Sequence, residues 1–198
     1  MDRRDFVKAL MAGGALGAAS GTTHAQRGHA ASAGSVSVAL IIQRGTPSAN
    51  ELADDIGRAL AEAGIGLATL ECAARPTHAE AAALLDRPAG SWLIGVTQDA
   101  AAEICQAVAA TRGNACVLRG QHRIGRHDVH HCCTSPAVDE ALRWSERRSI
   151  GSDATGRLYA QALGAASPSG GDGRADRHPA RAADAAATTR LASFLIRL

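Results

Sequence analysis

The chain has 198 residues, is 46% hydrophobic and only 3% aromatic, and carries a formal net charge of +2. That is enough apolar material for one core, built mainly from Ala, Leu, Ile and Val. The near-balanced charge and the lack of like-charge blocks exclude a nucleic-acid or polybasic membrane partner held by phosphate neutralisation.

The first segment reads MDRRDFVKALMAGGALGAASGTTHAQ. Arg3, Arg4 and Lys8 form a short basic region, a weakly apolar stretch follows, and Thr23-His24-Ala25 offers a small-residue cleavage site before Gln26. The apolar stretch is shorter than the about 20 residues a membrane span requires, so no stable span is expected after cleavage. Arg3-Arg4-Asp5-Phe6-Val7-Lys8 resembles the twin-arginine (Tat) signal, departing from it at Asp2 and Val7. The resemblance covers residues 1–25. It implies export of an already folded chain to the periplasm, with the Tat translocase as a transient partner. Residues 26–34 read as a flexible leader.

From there strand and helix patterns alternate. Residues 36–42 (VSVALII) form a continuous apolar run suited to a strand buried on both faces. Thr46 or Ser48 can cap the following helix, Pro47 suits its first turn, and Ser48 with Glu51 has capping-box spacing. Leu52, Ile56, Leu60 and Ala63 share one face of that helix, and Gly64 ends it. Residues 65–70 predict a second strand. Thr77 and Glu80 predict a capping box and a helix to about Leu85. Residues 91–96 predict a third strand. Thr97-Gln98-Asp99 then opens a helix with Ala101, Ile104, Cys105 and Val108 on its buried stripe.

Residues 115–119 predict a fourth strand, followed by a polar loop, GQHRIGRHD. Residues 129–134 predict a fifth. Ser135, Pro136, Asp139 and Glu140 then read as the start of a helix closed by Arg147 and Arg148. A last helix spans about 153–163. The pattern predicts a single α/β domain over 35–164: a doubly wound, mostly parallel sheet of about five strands with helices on both faces. Residues 165–187 are small, polar and free of large apolar side chains, and read as disordered. Residues 188–198 read as a short amphipathic helix through Leu191, Phe194, Leu195 and Leu198.

In such sheets ligands bind beyond the carboxyl ends of the strands. That rule nominates Gln43, Arg44, Gly45, Thr46 and Ser48 after the first strand, and Thr97, Gln98 and Asp99 after the third. It adds Arg119, Gln121, His122 and Arg123 after the fourth, and Thr134 and Ser135 after the fifth. The set suits a small polar or anionic ligand. The chain carries no GxGxxG after a strand, no GxxxxGK[ST] and no GxSxG, so nothing in it signals dinucleotide, nucleoside triphosphate or hydrolase chemistry. The leading expectation is therefore a non-catalytic binding or accessory module. A hydrolase or transferase with an uncommon site at the same edge stands as one alternative.

The segment HDVHHCCTSP supplies another. His130, His131, Cys132 and Cys133 are soft metal ligands suited to copper or zinc, and one histidine could hold a haem, though the CxxCH attachment motif is absent. On a strand, however, Val129, His131 and Cys133 face one side and His130 and Cys132 the other. A closed site would need help from His122, His127 or Cys116. His131 beside Cys133 also has the composition of a base and a thiol nucleophile. Cys72, Cys105 and Cys116 read as small buried hydrophobes.

Overall fold

A computed structural model describes residues 37–126, 128–136, 138–147, 153–164 and 189–198. The Tat-like segment, the leader, His127 and the segment 165–187 lie outside these residues. Seven described strands form one mixed sheet: β1 (Val38–Gln43), β2 (Leu67–Cys72), β3 (Trp92–Thr97), β4 (Ala115–Ile124), β5 (Asp128–Ser135), β6 (Val138–Arg147) and β7 (Thr189–Arg197). Their spatial order is β2-β1-β3-β7-β4-β5-β6. The helices are α1 (Pro47–Glu62), α2 (His78–Leu84), α3 (Asp99–Thr111) and α4 (Asp153–Ala162).

The first half follows the expected winding. β1 pairs in parallel with β2 and β3, and its run VALIIQ is buried on both faces apart from partly exposed Ile42. Thr46 is the N-cap of α1 and Pro47 its first residue, so Ser48 and Glu51 lie inside the helix and the expected Ser48–Glu51 box is not the cap. The Thr77–Glu80 box at α2 is complete. Glu80 N donates to Thr77 Oγ1 at 3.2 Å and Thr77 N donates to Glu80 Oε2 at 2.7 Å. The Thr77 N–H, and the Thr77 hydroxyl that lies 2.9 Å from the same oxygen, hold the Glu80 carboxyl below its usual range. β2 begins two residues later than its apolar run suggests, at Leu67.

The second half departs from expectation in three places. The segment after Arg119 is not a loop: β4 continues to Ile124, with Leu118, Gly120, His122 and Ile124 buried and Arg119, Gln121 and Arg123 exposed. The helix expected after Pro136 is β6, which pairs antiparallel with β5 through Ser135↔Val138 and Cys133↔Leu142. The helix-forming residues of this stretch carry only a weak local preference. Pairing with the open edge of β5 overrides it, and a charged strand suits the outer edge of a sheet. The third departure is the tail. Thr189–Arg197 is β7, antiparallel to both β3 and β4 and wedged between them. Residues 191–196 are all buried, which a helix lying on a surface cannot achieve and a central strand does. The sheet is therefore mixed, and its two halves meet only through the last strand.

Helices cover the two faces unequally. On one face α1 and α4 pack over Val38, Leu40, Ile94, Val96, Leu118, Ile124, Val129, Leu191 and Leu195. The two helices cross closely at Gly156, where a Cβ would stand 2.6 Å from both Ala59 Cβ and the Asp55 carbonyl. On the other face α2 and α3 pack over Ala39, Ile41, Leu93, Ala192, Phe194 and Ile196. No described helix is long and apolar enough to cross a membrane.

Candidate functional site

The alternation in β5 is as the sequence predicts: Val129, His131, Cys133 and Ser135 point into the α1/α4 side, and His130 and Cys132 are half-buried on the opposite face. His131 lies in register with His122 of β4, which pairs in turn with Leu191 of β7. This places the two imidazoles together under α4, with Nδ1 atoms 2.7 Å apart and rings crossed at 74°. His122 Nε2 is 2.6 Å from Ser193 Oγ, the Tyr159 hydroxyl donates to the same oxygen at 2.6 Å, and Thr155 Oγ1 lies 3.2 Å from His131 Nδ1.

One proton arrangement runs in a single direction from Tyr159 through Ser193 and His122 to His131, and leaves the longer Thr155 contact outside it. Ser193 already accepts from Tyr159, so its own proton goes to His122 Nε2. His122 then carries its proton on Nδ1 and donates to His131 Nδ1. The opposite arrangement would give Ser193 a second incoming proton and leave its hydroxyl hydrogen without a role in the chain. Burial pushes the His122 imidazole down to about 4, and it pushes the Tyr159 phenol well above its usual range. Both groups are therefore neutral near pH 7.

Gly120 makes this possible. It pairs with Ser193 across the sheet, and a Cβ there would lie 2.3 Å from Ser193 Oγ and 2.8 Å from His122 Nε2. The order Ser193–His122–His131 has the composition of a nucleophile, a base and an orienting group. A reacting carbonyl must come within about 3 Å of such a nucleophile. Here Ser193 and His122 are each 1% exposed, His131 is 3% and Tyr159 is 0%. The group is a sealed polar network in the core that links β7, β4, β5 and α4.

The metal-ligand reading finds little convergence. His130 Nδ1 sits 2.7 Å from Ser145 Oγ of β6, on the face away from His131 and Cys133. Among the described residues no three His, Cys, Asp or Glu side chains are placed to share an ion. All five cysteines are thiols. Burial raises Cys72 to about 11, Cys105 to about 12, and Cys116 above its ordinary value, which makes these three inert.

The residues nominated as a ligand edge fall into separate places. Arg44, Thr46, Ser48, Thr97, Gln98 and Asp99 gather at the carboxyl ends of β1 and β3. The chain leaves β1 toward β2 on one side, and β3 lies on the other, so this is where strand order reverses. Gln43, 2% exposed, ties the two loops together: its Oε1 accepts from Gln98 N at 2.8 Å and its Nε2 donates to Thr46 Oγ1 at 3.0 Å. Thr97 Oγ1 donates to the Gln98 carbonyl at 3.0 Å. Arg44 Nε donates to Glu71 at 3.0 Å, an exposed ion pair. Arg119 instead lies mid-strand in β4 and His122 in the sealed network. Thr134 and Ser135 sit at the other end of the sheet, because β5 runs antiparallel to β4. Arg123, Arg143 and Arg190 join Arg119 on an exposed sheet face. The alternation of 118–124 carries that signal, once the segment is recognised as strand.

A scan against protein-family models and searches of curated proteins and of solved structures return no match to this chain.

Proposed function

We propose that the protein is an exported, non-catalytic binding or accessory module that takes a small polar ligand at the carboxyl edge of β1 and β3. The observation that carries this reading is the contrast between the sealed Ser193–His122–His131 set beneath α4 and the strand-order reversal, where Arg44, Gly45, Gln98 and Asp99 are exposed around buried Gln43. There the N-termini of α1 and α3 lie at one edge and neither helix has a side-chain cap; in α1 Pro47 carries no N–H and Ala49 N and Asn50 N donate to the Thr46 carbonyl, so the amides offered to a ligand come mainly from the first turn of α3. Gln43 holds the two loops at a fixed separation, a preorganisation that lowers the cost of binding. Export rests on Arg3-Arg4 and the small-residue site at Thr23-His24-Ala25.

The test has two arms. A thermal-shift screen of small polar and anionic metabolites is expected to yield a ligand whose stabilisation is lost in Thr46→Val and Gln43→Ala. Incubation with a fluorophosphonate probe and with activated esters is expected to give neither labelling nor turnover. Labelling or turnover abolished by Ser193→Ala would overturn the non-catalytic reading.

A further inference from the structure

Among the described residues, helices cover the second half of the sheet on one face only. α3 packs on β3, β7 and the first part of β4, and beyond it the face shared by Arg119, Arg123, Arg143 and Arg190 is exposed. We propose that this face docks an acidic polypeptide segment of a partner protein. The array lies on the sheet face rather than in the β1/β3 loops, although Arg190 stands two residues beyond Ala192, the partner of Thr97; docking on this face does not require a ligand at the β1/β3 edge.

The register defines the array. Arg123 of β4 stands directly opposite Arg190 of β7, so their Cα atoms are about 5 Å apart. Arg119 lies on the same face of β4, about 13 Å along the strand. Arg143 of β6 is opposite Cys132 of β5, which is opposite Gln121 of β4; it is thus two strands across and two residues along from each β4 arginine, about 12 Å away. None of the four is ion-paired with a described residue. Among the described side chains of this face, Asp128 is the one carboxylate, at its outer end.

Like charges directly opposite each other across a sheet oppose folding, so Arg123 facing Arg190 is a feature the fold itself does not favour. A solvated strand face is ordinarily mixed in sign. Arg123, Arg143 and Arg190, with no carboxylate partner among the described residues, and Arg119, whose side chain also hydrogen-bonds Cys116, present guanidinium groups to carboxylates supplied from elsewhere, which they can grip two bonds at a time. No described residue supplies them, and in the sequence 165–187 Asp172, Asp176 and Asp184 are matched by Arg174, Arg177 and Arg181. The groups between the arginines select the class of partner. Gln121, Thr134 and the His130–Ser145 pair present hydrogen-bonding groups suited to a peptide backbone. They present no apolar wedge for a bilayer. The overall charge of +2 is too small to attract a nucleic acid through long-range neutralisation.

The experiment is a fluorescence anisotropy titration of the purified protein with a labelled peptide of alternating Glu and Ser. The same titration is run with a Lys-Ser peptide, a single-stranded oligonucleotide and phosphatidylglycerol vesicles at equal salt. Saturable binding of the Glu-Ser peptide alone is expected, weakened at least about tenfold in Arg123→Gln/Arg190→Gln and only partly restored in Arg123→Lys/Arg190→Lys, which keeps charge but loses the planar fork. The double Gln variant is expected to melt at or above the wild-type midpoint. Absence of saturable binding, binding indifferent to the substitutions, or tighter binding of the oligonucleotide or vesicles would overturn the proposal. So would a lowered melting midpoint, which would assign the arginines to the fold.

Discussion

Acidification perturbs the sealed network through His122. In the unfolded chain its imidazole takes up a proton near pH 6.5, while in the folded protein it does so only near 4. Falling pH therefore favours the unfolded chain: the contribution of neutral His122 is complete above about pH 6.5 and is lost progressively down to about pH 4. The gap between the two values corresponds to a loss of roughly 3 kcal/mol, at about 1.4 kcal/mol per pH unit in between. Domains of this size have total stabilities of roughly 5–15 kcal/mol, so the effect is a large share of the whole. The physical cause is local. His122 is 1% exposed, already accepts the Ser193 proton, and already donates toward His131, so an added proton on Nε2 displaces the Ser193 bond and leaves a charge buried in the core. Urea unfolding measured at several values between pH 7 and 4.5 reads the slope, and a His122→Asn variant, less stable throughout, is expected to lose most of it. The reasoning is refuted if wild-type stability is flat between pH 6.5 and 5, or if nitrogen NMR of the folded protein places the His122 titration near 6.5.

Two further substitutions test the architecture. Gly120→Ala drives a methyl against Ser193 Oγ and His122 Nε2; displacement of the pair plus a broken buried hydrogen bond predicts a loss of about 3 kcal/mol, read from the denaturant midpoint. Truncation before Thr189 removes the buried side chains of Leu191, Phe194, Leu195 and Ile196 and leaves β3 and β4 without their shared neighbour; at about 1.5–3 kcal/mol per side chain the loss rivals the whole stability, so calorimetry is expected to show no cooperative transition.

The amino-acid sequence by itself determined the first half of the fold. The doubly buried run of β1, the Pro47 start of α1, the Thr77–Glu80 box and the two-faced alternation of β5 are set by neighbours within a few residues, where propensity, capping and period act. The polar cluster at Gln43, Thr46 and Gln98 follows from the same reading, because parallel winding dictates which loops share an edge. Tertiary structure decided the rest. Residues 138–147 have helix-forming composition, yet the unpaired edge of β5 recruits them as a strand. The spacing of Leu191, Phe194, Leu195 and Leu198 fits a helix stripe, and only the gap between β3 and β4 reveals why Ala192, Ser193 and Ile196 are equally buried. The meeting of His122, His131, Ser193 and Tyr159 depends on that insertion. It brings together residues up to 71 positions apart through strand register, a quantity no local pattern encodes.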